Sequence, residues 1–139
     1  MNQILLFADL EEAELEKLRE IAKEEYLPAD FTIFREGDAS DAFYVVESGS
    51  IKIVKEAPGK IHKVLAYLHE GEFFGEMGIM KGSPRSAAAI TLERTSLLKF
   101  RKVPFIAFLD ANPIIAMKIR SAMVRRYNDN VFAFAKPGR

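Results

Sequence analysis

Residues 73–89 read Phe-Phe-Gly-Glu-Met-Gly-Ile-Met-Lys-Gly-Ser-Pro-Arg-Ser-Ala-Ala-Ala. Two aromatic residues suit a strand, and Gly75 follows where the strand gives way to a short helix. Gly75 lets the backbone approach a ligand closely. The amides after it open a helical turn over 76–80, and free amides at a helix start favour an anion. Gly82-Ser83-Pro84 turns the chain back, so Arg85 returns towards Glu76 across one short helical loop.

The pair divides its work by charge. An arginine fork matches two phosphate oxygens at once. A carboxylate beside a phosphate would repel it, so Glu76 is matched to a neutral hydroxyl donor such as a ribose 2′-OH. A bond of that kind to a charged group contributes ~1.5–3 kcal/mol. Ser86 adds a hydroxyl for a phosphate oxygen, and Ala87-Ala88-Ala89 leaves space beside a ligand. Gly75, Glu76, Met77, Arg85, Ser86 and Ala87 form the candidate binding segment for a cyclic nucleotide. A plain surface salt bridge across a turn is the competing account of a lone Glu/Arg pair.

The flanking chain supplies a barrel. Short β-branched and aromatic runs occupy 31–34, 43–47, 50–55, 63–68, 87–92 and 96–100. Turn residues separate them at Glu36-Gly37-Asp38, Ser48-Gly49-Ser50, Pro58-Gly59-Lys60 and Glu70-Gly71-Glu72. Strands at this spacing predict a β-sandwich or barrel. Before them, Asp9 to Glu25 reads as one helix, with Asp9 as N-cap and Leu10, Ala13, Leu18, Ile21 and Ala22 at helical spacing. After them, 103–109 reads as a short helix. Asn112-Pro113 then opens a long one reaching about Phe132, with Pro113 at the first helical position. Its stripe is Ile115, Ile119, Ala122, Met123, Arg126 and Asn130.

Composition narrows the function classes. The chain has 139 residues, 49% hydrophobic and 29% charged, with no cysteine. That is enough for one domain with its own core. Disulfides, thiolate metal sites and cysteine nucleophiles are excluded, which fits a cytoplasmic protein. No apolar run is long enough for a membrane span, and Met1–Leu10 lacks the basic start of a secretory signal. A metal-binding barrel enzyme would need clustered ligands, but the two histidines, His62 and His69, stand seven apart. No serine lies in a Gly-x-Ser-x-Gly elbow. Asp38 and Asp41 read as turn residues, so no metal and no catalytic set is expected. Residues 9–25 are mostly acidic and 99–139 mostly basic. The basic tail, with Lys118, Arg120, Arg125 and Arg126, fits solvated helix faces, nucleic acid or an acidic partner, and the first is favoured because apolar residues separate the charges.

The segment 73–89 closely resembles the phosphate-binding cassette of the cyclic nucleotide-binding domain. That family includes the bacterial catabolite activator protein, protein kinase A regulatory subunits and the cytoplasmic domains of nucleotide-gated channels. The resemblance extends over nearly the whole chain. Leu6-Phe7-Ala8-Asp9-Leu10 is similar to the family's opening helix. Phe34-Arg35-Glu36-Gly37-Asp38 and Phe43-Tyr44-Val45-Val46-Glu47-Ser48-Gly49 resemble its hairpin signature, and 103–134 resembles the closing helices of the bacterial branch.

The resemblance implies a double-stranded β-helix (jelly-roll) barrel within one domain over 1–139. An N-terminal helical part spans 1–27, the barrel 28–101 and the closing helices 102–139. It implies that Arg85 and Ser86 hold a cyclic phosphate, with amides of Gly75 and Glu76 in the same cradle and Glu76 on the ribose 2′-OH. Ile51, Leu65 and Ala66 fall where the family walls the base; Arg126 and Asn130 fall near the positions from which the long helix touches it. Phe132 and Phe134 cap the base or pack on the barrel. Ser86 matches the bacterial cAMP pattern, whereas a threonine there favours cGMP in the eukaryotic branch. The implied ligand is cAMP or cGMP, with no cofactor. The implied partner is a second copy joined through the long helix, with the Ile115–Met123 stripe at the seam, besides an effector in trans. Bacterial relatives continue into a helix-turn-helix. The end of this sequence at Arg139 carries the expectation that DNA binding is absent in cis.

Overall fold

The computed structural model describes residues 5–56 and 63–135, with side chains described up to Arg125. Two four-stranded antiparallel sheets form the barrel. The strands are β1 (Ala22–Leu27), β2 (Thr32–Phe34), β3 (Ala42–Ser48), β4 (Ile51–Lys55), β5 (Lys63–Leu68), β6 (Phe73–Phe74), β7 (Ala88–Thr91) and β8 (Thr95–Arg101). One sheet runs β1-β8-β3-β6 and the other β2-β7-β4-β5. The helices are α1 (Glu12–Arg19), α2 (Glu76–Lys81), α3 (Lys102–Ala111) and α4 (Pro113–Ala135). This is the expected jelly roll with helices at both ends of the chain.

The core lies on both faces of the first sheet, and β3 shows why. Its residues 42–46 are all buried. Side chains alternate across a strand. Phe43 and Val45 therefore join a cluster with Leu98, Phe100, Phe105, Leu109, Ile115 and Ile119. Ala42, Tyr44 and Val46 join the other, between the sheets, with Ile51, Leu68, Phe74, Ala89 and Leu97. A strand covered on both faces is apolar without interruption, which is the Ala-Phe-Tyr-Val-Val run in the sequence. Aromatic rings fasten the helical side: Phe43 stacks on Phe100 at 5.0 Å and meets Phe105 edge-on at 4.7 Å.

The N-terminal region departs from the sequence expectation. The helix starts at Glu12 rather than after Asp9. Glu11 caps it through a capping box with Glu14. The helix stops at Arg19, and Ala22–Leu27 forms an edge strand on β8, from Ala22 opposite Phe100 to Leu27 opposite Thr95. Lys23-Glu24-Glu25 favours a helix locally, but pairing with β8 overrides that weak preference. The barrel therefore begins at Ala22, inside the part read as helical. The short strand expected ahead of Gly75 is present as β6, Phe73–Phe74.

The closing helices form close to where the sequence places them. The Asn112 carbonyl accepts the Ala116 amide at 2.9 Å, opening α4. The Asn112 side-chain amide instead donates to the Phe108 carbonyl at 2.9 Å, so it completes the end of α3. The α4 stripe needs correction. Ile115, Ile119, Ala122 and Met123 are buried within this chain, against Leu6, Phe7 and Leu10 among others. They are core residues and cannot form a seam with a second copy. The opposite face carries Ile114, Met117 and Val124, each more than half exposed at 58%, 58% and 56%. Arg126, Asn130, Phe132 and Phe134 lie outside the described side chains.

The acidic start and basic end of the chain meet each other. Lys118 Nζ lies 2.8 Å from Glu14 Oε1, Arg125 Nη2 lies 2.6 Å from Asp9 Oδ2, and Lys99 pairs with Glu25 at 3.9 Å. Part of the charge asymmetry is thus met inside the chain.

Candidate functional site

Strand β6 sets the entry to the site. Phe73 and Phe74 pair with Val45 and Tyr44, and both are buried. The chain then leaves the sheet at Gly75, where φ is +87°. A Cβ added there would lie 2.8 Å from Arg85 Nη1. Glycine is required twice at this point, for its backbone angle and for the guanidinium pressed against it. Helix α2 follows for six residues and ends at Gly82. The Ser83 amide donates to the Gly78 carbonyl at 3.1 Å, and Ser40 Oγ donates to the Ser83 carbonyl at 2.7 Å. These bonds close the loop and return the chain to Arg85.

Arg85 is the centre of the site. It is 5% exposed and Glu76 is 7% exposed. Arg85 Nη1 donates to the Gly75 carbonyl at 2.8 Å, and Nη2 donates to the Ala42 carbonyl at 2.5 Å. Its Nε is buried with no hydrogen-bond partner. The guanidinium carbon stands 4.0 Å over the Phe34 ring, a cation–π arrangement that also keeps water off one face. Burial pulls the Arg85 pKa down; Tyr44, Asp41, Asp38 and Glu76 oppose it. Arginine remains charged in such settings, so the barrel encloses a cation with a spare donor.

The backbone of Arg85 is fixed as firmly. Its amide donates to the Asp38 carbonyl and its carbonyl accepts the Gly37 amide, both at 2.8 Å. Asp38 also accepts the Arg35 amide through Oδ2 at 2.8 Å. The turn over 35–38 is therefore the clamp for the arginine. Below it lies an aromatic floor: Tyr44 stacks on Phe74 at 5.1 Å, and Phe34 lies 6.0 Å from Phe74 and 6.1 Å from Tyr44. Desolvation pushes the Tyr44 phenol up to about 12, against the pull of Arg85, so it stays neutral.

The other sequence candidates separate into three groups. Ala87 is buried, whereas Met77 and Ser86 are exposed. The Ser86 carbonyl accepts Lys55 Nζ at 3.0 Å. Ile51 is fully enclosed in the inter-sheet core, at 0% exposure. Its strand neighbour Ile53 is half-buried on the same face and pairs with Ala66 and Ala89. A bulge separates the Ile53–Ala66 and Val54–Val64 pairs. It leaves Leu65 unmatched beside Ala66, and a bulge of this kind re-aims a side chain. His69 is exposed beyond β5, and His62 lies outside the described residues.

Sequence reasoning missed Phe34, Tyr44, Ile53 and the Ala42 carbonyl. The alternation Ile51-Lys52-Ile53 places both isoleucines on one face, and depth in the barrel then favours Ile53 at the mouth. No local signal pairs Ala42 with Arg85, because they are 43 residues apart.

A family model for the cyclic nucleotide-binding domain matches residues 24–112. The cyclic AMP receptor protein of Thermus thermophilus is 32% identical over 102 residues, covering 73% of this chain and 47% of the relative. The crystal structure of the catabolite activator protein from the same organism superposes with a TM-score of 0.80 at 29% identity, over 92% of this chain and 60% of that one. The regulatory domain of Toxoplasma gondii protein kinase A, solved with cAMP, gives a TM-score of 0.67 at 27% identity, over 74% and 39%. This chain spans about half the length of the curated Thermus relative it matches. With the cassette, the clamp and the jelly roll in place, the chain belongs to the cyclic nucleotide-binding domain family.

Proposed function

We propose that this domain is a cyclic nucleotide sensor, with cAMP as the preferred ligand, rather than an enzyme. The observation that carries the reading is the buried guanidinium of Arg85 with its unpartnered Nε. A buried charged donor without a partner is costly, and an anion in the barrel mouth would satisfy it. Arg85 and Ser86 would hold the cyclic phosphate, with amides at Gly75, Glu76 and Met77 beside it and Ala87 leaving room. Glu76, buried on the same side, would accept the ribose 2′-OH. Ile53 and Ala66, with Leu65 at the bulge, would wall the base; Ile51 supports them from the core. Arg126 and Asn130 remain candidates for base contacts from α4.

Binding would be transmitted through α3 and α4, because a ligand shifts an equilibrium only by differential contact with its two states. Ligand at 100 times its dissociation constant should stabilise the domain by ~2.7 kcal/mol. A thermal-shift titration with cAMP, cGMP and a cyclic dinucleotide tests both binding and base preference. No shift with any of the three removes the sensor reading. Glu76→Ala should weaken cAMP, and Arg85→Ala should abolish the shift.

The exposed face of α4 favours a second role, in dimerisation. Met117, Arg120, Ser121, Val124 and Arg125 line an open groove of ≈ 470 Å³ along that face. A second copy would cover Met117 and Val124, and the domain would pass its state to an effector in trans, in the cytoplasm. Sedimentation with and without cAMP tests this. A nucleotide-independent dimer that binds no ligand would favour a scaffold over a sensor.

A further inference from the structure

We infer that Lys55 is a second cation of the phosphate site, held in place by Glu36, and that it sets affinity for the anionic end of the ligand. The inference rests on the sensor reading above. Lys55 closes β4 on the same face as Ile51 and Ile53, because side chains two apart share a face. Ile51 lies in the inter-sheet core and Ile53 packs against it, so Lys55 stands at the rim of that core. Its Nζ donates to the Ser86 carbonyl at 3.0 Å and lies 2.9 Å from Glu36 Oε2. One residue before Ser86 is the buried guanidinium. The ammonium is therefore fixed beside the two residues assigned to the phosphate.

The network around it is built from the same parts that position Arg85. Glu36 precedes Gly37, whose amide binds the Arg85 carbonyl. Glu36 Oε1 accepts the Glu56 amide at 3.1 Å, and Arg35 pairs with Glu56 at 2.9 Å. The β4 end and the 35–38 turn thus form one polar lattice flanking the cassette. Lys55 keeps a half-exposed side chain, 51%, so its third donor is available to an incoming anion. Arg85 matches the single charge of a cyclic phosphate from inside the barrel, and Lys55 adds attraction at the rim. Glu36 weakens that attraction by competing for the ammonium.

Calorimetric titration of the whole chain with cAMP, at low and at moderate salt, tests the role. Lys55→Gln keeps a donor for the Ser86 carbonyl but removes the charge. It should weaken binding by about three- to fivefold at low salt, the scale of an exposed ion pair, and flatten the salt dependence. Lys55→Arg should retain parental affinity, and Glu36→Gln should tighten binding by about twofold. A Lys55→Gln affinity and salt slope equal to the parent's would overturn the inference while leaving the sensor reading intact. An equal weakening at both salt levels would also overturn it, since that marks loss of structure rather than of charge. If the parent chain binds no cAMP while Arg85→Ala is equally silent, the sensor reading fails and this inference with it.

Discussion

The two faces of the β1-β8-β3-β6 sheet serve different ends. The face under the helices is sealed: Phe43, Phe100, Phe105, Leu18 and Ile119 are all 2% exposed or less. Every member of that cluster is apolar. The face towards the second sheet is apolar at depth but ends in Arg85, Tyr44 and half-buried Phe34, Ile53 and Ala66. Tight packing in the first gives a rigid platform. The second encloses a cation, Arg85, whose Nε has no hydrogen-bond partner. On the proposed function, stability and recognition sit on opposite faces of one sheet, served by alternate residues of the same strand.

The most damaging change should be on the sealed face. Phe100→Ala removes a ring that meets Phe7, Phe43 and Phe105. It should lower stability by about 3–5 kcal/mol, read by chemical denaturation. If cAMP affinity fell as far as stability, the two faces would not be separable. Arg85→Ala is the converse: affinity should fall about a hundredfold or more, the scale of two charge-assisted bonds. Its effect on the unliganded midpoint should be well below that of Phe100→Ala.

Gly75→Ala joins the two effects. A left-handed backbone costs a residue with a Cβ about 1–2 kcal/mol, and the methyl would also displace Arg85. Both stability and affinity should fall, by calorimetry with and without ligand.

Smallest is the effect of pH on the Glu14–Lys118 pair. The Lys118 hydrogen bond, then the Glu11 amide, hold Glu14 below its ordinary value of 4.5. A depressed carboxylate pKa contributes stability above 4.5, which is lost as pH falls through the folded value. Lys118 is raised above 10.5 by the same bond, so its contribution is present below 10.5 and lost above. Glu14→Gln should remove the acidic limb of this difference in a midpoint-versus-pH series, and leave cAMP affinity unchanged.

What could be read from the sequence followed the range of the forces involved. The cassette is local: Gly75, Glu76 and Arg85 lie within eleven residues and each has a role set by its own chemistry. Strand β3 announces itself by an unbroken apolar run, Ala42 to Val46. Strand β1 does not, because Lys23-Glu24-Glu25 is helix-prone and becomes a strand only by pairing with β8, more than seventy residues later. The inward turn of Ile115 and Ile119 was hidden for the same reason. Helical spacing gives a stripe, but the choice between the chain's own N-terminal segment and a second copy depends on tertiary placement. Phe34 and Ala42 reach Arg85 only through the topology of the barrel.

Strand β3 has one further consequence. Its side chains cannot exchange places: Phe43 and Val45 fit the sealed face, Tyr44 the mouth of the barrel. A slip of one residue against β8 would put a phenol among the helices and a phenylalanine beneath the arginine, reversing both compartments together. The pairing of Phe43 with Phe100 and Tyr44 with Lys99 is therefore a registration mark for the whole molecule. It fixes which face is filled by the helices and which carries the arginine.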